Sequence, residues 1–209
     1  MDNVIYSLDE YFCAHYSNYV QLSAIEGYKM PDMVYIGPDG NIVRRDNALM
    51  RLCHQKNCGE LLKKLKEGRV DTDFMFSFSF PTLRERRALQ RGKYAFRTLF
   101  PVILHHCSET VESVGEKLDI EPRFWEKIAL GKLRPTKNTL LAIALVCRMG
   151  TQDASNLLTI CGETLSEDSV RDVVVRYLLE QKIFSQELRD RCLAEYKITN
   201  LPIKREKAI

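Results

Sequence analysis

The sequence predicts a mainly α fold: a helical bundle with a C-terminal helical extension, preceded by a small N-terminal α+β region. Three observations predict it. Apolar residues recur at helical spacing in every segment from Ala95 onward; hydroxyl caps and glycine stops punctuate that run; and the β-prone runs stand before residue 94. With 209 residues, 45% of them hydrophobic, and only seven Pro and ten Gly, the chain has the composition of a folded globular protein rather than a disordered one.

Within residues 1–93, the spacing of Tyr11, Phe12, His15, Tyr19 and Leu22 predicts a helix over Leu8 to Ile25. MVYIGPDGNIVRR, Met33 to Arg45, sets two short β-prone runs around a GPDG turn and predicts a hairpin. Asn47 to Glu67 returns to helical spacing through Leu49, Leu52, Cys53, Leu61, Leu62 and Leu65, with Gly68 as its stop. DFMFSFSFP, Asp73 to Pro81, alternates aromatic or Met with Ser and predicts a strand or an extended connector.

Residues 94–163 predict five helices. The first, about Ala95 to Cys107, carries Phe96, Leu99, Phe100, Ile103 and Leu104, with Pro101 kinking it or marking its start. Thr110 caps the second, whose Val111, Val114 and Leu118 share one side. Pro122 suits the first turn of the third, and Phe124 and Ile128 supply its apolar contacts. Thr136 caps the fourth, Lys137 to Met149; few of its positions are polar, so it belongs at the bundle centre. Thr151 caps the fifth, which Gly162 ends. In residues 164–209, Ser166 opens a helix with Val170, Val173, Val174, Tyr177 and Leu178 inward, Ser185 opens a last one, and the tail from Thr199 is expected to fray.

The formal charge of +3 does not by itself mark a nucleic-acid binder, but its distribution is uneven. Between Arg84 and Arg97 stand Arg84, Arg86, Arg87, Arg91, Lys93 and Arg97 against Glu85 alone; between Glu121 and Lys137 stand Arg123, Lys127, Lys132, Arg134 and Lys137 against Glu121 and Glu126. No window has the length of uncharged apolar residues that a spanning helix needs, and the start, MDNVIYSLDEYFCAHY, lacks the basic and apolar blocks of a secretory signal, so a cytoplasmic protein with no membrane partner is expected. The seven cysteines are odd in number and widely spread, and read as reduced thiols. Neither Cys53-His54 with Cys58 nor His105-His106-Cys107 has zinc-module spacing, and GPDGN lacks the Lys and hydroxyl of a phosphate-cradling loop. No metal, no cofactor and no catalytic residue is expected.

TVESVGEKL, Asp119 and IEPRFWEKIALGK together fit a helix-turn-helix. Val114 and Gly115 allow close helix approach, Asp119 suits a left-handed turn position, and Ile120, Phe124 and Ile128 anchor the second helix. With ALGKLRPTKNTLLAIA and the helices behind it, the stretch from about Ala95 to Gly162 resembles the Cro-like and lambda-repressor-like helix-turn-helix family. The helices from Ser166 onward resemble an extension of some bacterial regulators. The resemblance implies a compact five-helix domain that binds duplex DNA sequence-selectively, as a homodimer, in transcription regulation. It departs from the family in having Asp119 where Gly is usual, and Pro122, Arg123, Phe124, Trp125 and Glu126 where small or polar residues are usual. With no Asn or Gln from Glu121 to Gly131, adenine lacks its bidentate reader, and phosphate contact with shape readout is expected to dominate. The expected DNA-binding residues are Arg123 at a base edge, Lys127 at a phosphate, and Lys132, Arg134 and Lys137 as backbone clamps. Trp125 is expected at DNA or at a protein interface when it faces outward, and in packing when it does not. The alternative function is a non-enzymatic protein-interaction module on the same scaffold, to which Phe124 and Trp125 point.

Overall fold

The computed structural model describes residues 2–16, 34–36, 38, 40–44, 58–71, 78–80, 82–84 and 95–204. The fold is mainly α, with α1 (Asp2–His15) and α2 (Cys58–Gly68) flanking a hairpin of β1 (Val34–Ile36) and β2 (Ile42–Arg44), whose register pairs Val34 with Arg44 and Ile36 with Ile42. Gly40 takes a positive φ of 76° in the turn, as the GPDG sequence predicts. α1 starts earlier than its apolar spacing suggests, and its buried face is Leu8, Phe12, Cys13 and Tyr16; Tyr11 and His15 instead stack on one another at 3.8 Å on its partly exposed side. Tyr19, Leu22, Leu49, Leu52 and Cys53 lie outside the described residues.

β3 (Phe78–Ser79) precedes a run of helices: α3 (Ala95–His106), α4 (Val111–Lys117), α5 (Pro122–Ala129), α6 (Lys137–Val146), α7 (Thr151–Ile160), α8 (Val170–Glu180) and α9 (Gln186–Glu195), with β4 (Arg134–Pro135) between α5 and α6. Phe96, Phe100, Ile103 and Leu104 form the buried stripe of α3, which runs through Pro101 unbroken on its exposed side. Thr110 caps α4 in a reciprocal arrangement: the Ser113 backbone amide donates to the Thr110 hydroxyl oxygen at 3.1 Å, and the Thr110 amide donates to Ser113 Oγ at 3.0 Å. Every residue of α6 from Thr139 to Val146 is buried, because the helix contacts α4, α7 and α8 at once. The cap of α8 is Ser169 rather than Ser166, its hydroxyl oxygen accepting from the Asp172 amide at 3.3 Å; Gly150 rather than Thr151 precedes α7.

Six helices end alike. After α3, α5, α6, α7, α8 and α9 the residues Ser108, Gly131, Arg148, Gly162, Lys182 and Lys197 take positive φ, and the next amide donates back five residues, for example Met149 to the Ala144 carbonyl at 3.0 Å and Ile198 to the Leu193 carbonyl at 2.8 Å. Among the helices from α3 to α9, α4 is the exception. Leu118 leaves it in extended conformation (φ −95°, ψ 144°) and forms a β-bridge with Ile203. The Asp119 amide donates to the Pro202 carbonyl at 3.1 Å and the Lys204 amide to the Lys117 carbonyl at 3.0 Å, with Leu201, Pro202 and Ile203 buried. Two expectations are corrected here: Asp119 does not take a left-handed angle, because the chain leaves α4 extended at Leu118 and pairs its backbone with residues 202–204, and residues 201–204 do not fray, because they provide the other half of that bridge.

Among the described residues the buried apolar side chains form one cluster. α1 packs against α8 and α9, so residues before 94 and after 163 share a face, and the packing crosses both expected boundaries. A buried polar knot crosses them as well. Arg171, 3% exposed, pairs with Asp71 and donates to Asn138 Oδ1, while Asp71 Oδ2 accepts from the backbone amides of Thr199 at 3.0 Å and Asn200 at 3.3 Å. Burying an ion pair is tolerable only when its remaining hydrogen-bonding capacity is met, as these amides do for Asp71.

Candidate nucleic-acid interface

α4 and α5 are held together by one indole. Trp125 is 5% exposed; its Nε1–H donates to the Val111 carbonyl oxygen at 2.8 Å and its ring meets Phe100 edge-on at 5.9 Å. It fits because residue 115 is glycine: a Cβ there would stand 2.5 Å from Trp125 Cδ1 and 2.6 Å from Nε1. The outward-facing expectations for Trp125, DNA stacking or a partner interface, are therefore corrected; the indole belongs to the packing between the helices. Ile120 and Ile128 seat α5 from beneath, as expected.

The solvent side of α5 carries Arg123, Glu126 and Lys127, with Lys132 just beyond the helix, all exposed. The Arg123 side chain is 67% exposed, its Nε lies 2.6 Å from Glu121 Oε1, and its guanidinium carbon sits 4.7 Å from the centre of the Phe124 ring. Lys127 Nζ stands 5.7 Å from the same centre. Arg123 and Lys127 thus flank one aromatic ring, a placement the ring's negative face favours.

Arg134 and Lys137 are placed differently. Arg134 is half-buried and donates to the Cys161 carbonyl at 2.5 Å, with Glu163 at 3.9 Å, tying the loop after α5 to the end of α7. Lys137 pairs with Asp172, whose side chain is only 2% exposed and also accepts from the Ser166 amide at 2.7 Å, tying α6 to α8. Both cations serve intramolecular ties in this structure. Of the first basic run, Arg84 and Arg97 are described and exposed, whereas Arg86, Arg87, Arg91 and Lys93 lie outside the described residues.

Sequence reasoning missed the ribbon beside α5. β3 pairs antiparallel with β4, Phe78 opposite Pro135 and Ser79 opposite Arg134. Phe78 stacks on Phe124 at 4.8 Å, and Phe80 meets Phe78 edge-on at 6.0 Å while remaining 74% exposed. The alternation in FSFSF puts Phe78 and Phe80 on one side of a strand, but nothing local names the strand's partner, which lies past α5.

Cys13, Cys147, Cys161 and Cys192 are buried; burial pushes the Cys147 and Cys161 thiols up to about 12, the latter despite Arg134 alongside. Such thiols are poor nucleophiles at neutral pH. His105 and His106 are exposed at the end of α3, and among the described residues no His, Cys, Asp and Glu side chains gather as a metal site. Among the same residues no helix is long and apolar enough to cross a membrane. Comparison with protein-family models, with curated proteins and with solved structures returned no match.

Proposed function

We propose that the chain is a sequence-selective duplex-DNA-binding regulator of transcription, built on a lambda-repressor-like helix-turn-helix, with α4 as the supporting helix and α5 as the recognition helix. The observation that carries the reading is the solvent-facing trio Arg123, Lys127 and Lys132 on and just after a helix whose other side is fixed by Trp125 and Ile128. In this reading Lys127 and Lys132 meet phosphates, and Arg123 exchanges Glu121 for a base edge or a phosphate oxygen. The protein acts as a homodimer, since one short recognition helix covers a limited site. Anisotropy of a labelled duplex across a salt series tests it: replacing Lys127 and Lys132 with Ala should lower the slope of log affinity against log salt by about 2 units. An unchanged slope would sink the phosphate roles.

A second reading, a protein-interaction module on the same scaffold, is favoured by one observation. Glu121 and Glu126 put two carboxylates among the three cations, and Glu121 already holds Arg123. Absence of duplex binding even at low salt selects that reading.

A further inference from the structure

We propose that the β3–β4 ribbon is a second DNA-contacting element and that Phe80 is its wedge, an apolar side chain that enters the duplex beside the groove occupied by α5; this rests on the duplex-binding reading above. The ribbon is anchored at both ends. Arg134 holds β4 to the Cys161 carbonyl, and Phe78 of β3 lies on Phe124 of α5. Three steps of 6.0, 4.8 and 4.7 Å lead from the Phe80 ring to Phe78, to Phe124 and to the Arg123 guanidinium, so Phe80 and the cationic face of α5 belong to one surface.

Phe80 lies just beyond the paired residues, 74% exposed, followed by Leu83 at 75% and the exposed Arg84. Large apolar side chains left in water on an anchored segment form a docking feature, and the charges around them identify the occupant. Lysines are depleted at the centres of protein interfaces, whereas apolar wedges bordered by Arg and Lys are how proteins unstack and bend a duplex. Arg123 and Lys127 at the Phe124 ring, and Arg84 four residues after Phe80 in the chain, are exposed cations of that kind, with Glu121 paired to Arg123.

The test uses the full chain and a duplex of randomised central sequence, labelled for anisotropy at one end and as a donor–acceptor pair at both. Phe80→Ala should keep its melting temperature, weaken binding about tenfold as expected for one lost apolar burial, leave the salt slope unchanged because no charge is removed, and straighten the bound duplex. Phe80→Leu should restore most of the affinity and bend. Binding and bending equal to the parent in Phe80→Ala, or weaker binding with the bend intact, overturns the wedge alone. A parent protein that binds no duplex at low salt overturns the wedge and the regulator reading together.

Discussion

Gly115→Ala tests the helix pair at its tightest point. On an isolated helix the change is favourable, since Ala exceeds Gly in helix propensity by about 1 kcal/mol. In this chain the new Cβ would lie 2.5 Å from Trp125 Cδ1, nearer than any carbon contact allows, and the obstacle is a buried ring rather than a flexible side-chain end. Relief requires the indole to shift, which lengthens its bond to the Val111 carbonyl, or α5 to move away from α4. Overpacking costs about 1–3 kcal/mol and a weakened buried hydrogen bond about 1 kcal/mol more. Less the gain in propensity, the net loss is about 1–3 kcal/mol, a fall in melting temperature of roughly 3–10 °C for a chain of this size. Circular dichroism melts of Gly115→Ala, Trp125→Phe and the double variant check it: the smaller ring should remove most of the alanine penalty, so the two changes couple. A melting temperature in Gly115→Ala that equals or exceeds the parent's would mean that the two helices do not approach as described.

Arg171→Met leaves the Asp71 carboxylate buried beside apolar surface and should destabilise by about 3–5 kcal/mol in urea titrations; adding Asp71→Leu should recover part of this, whereas equal loss in the single and double variants would contradict the ion-pair account. Burial pushes the Glu109 carboxyl up, but hydrogen bonds from Lys117 and Ser113, with the Lys117 and Arg148 charges, outweigh it and hold the group below its usual value of 4.5. A group depressed by folding stabilises the protein above its unfolded pKa and loses that effect as pH falls through the folded one. The stability gap between the parent and Glu109→Gln should therefore be widest near neutrality and close below the ordinary glutamate range; a gap independent of pH would rule out the charge pairing.

The helices from α3 onward were legible because their signals are local. Thr110, Pro122, Thr136 and Gly162 stand at the termini the sequence assigns them, and the apolar character of Leu140 to Cys147 marks the central helix without any tertiary information. What escaped depends on distant partners. Arg148, Lys182 and Lys197 adopt the left-handed angle with no glycine to announce it, because the buried Met149, the half-buried Ile183 and the buried Ile198 that follow hold the chain there. At the candidate site, the exposure of Arg123 and Lys127 followed from helical spacing, while the ties of Arg134 to Cys161 and Lys137 to Asp172 did not, since a cationic side chain reads alike in sequence whether it meets water or a buried acceptor. The aromatic step from Phe78 to Phe124 was hidden because nothing local names the partner of a short strand.

The bridge between Leu118 and Ile203 makes the turn between α4 and α5 depend on residues far along the chain. Adjacent helices such as α6 and α7 meet over a short loop, whereas the turn between α4 and α5 takes its backbone partners from residues 202–204, at the entropic cost of closing a long loop. A severed copy of residues 94–163 would therefore leave the Lys117 carbonyl and the Asp119 amide without these backbone partners.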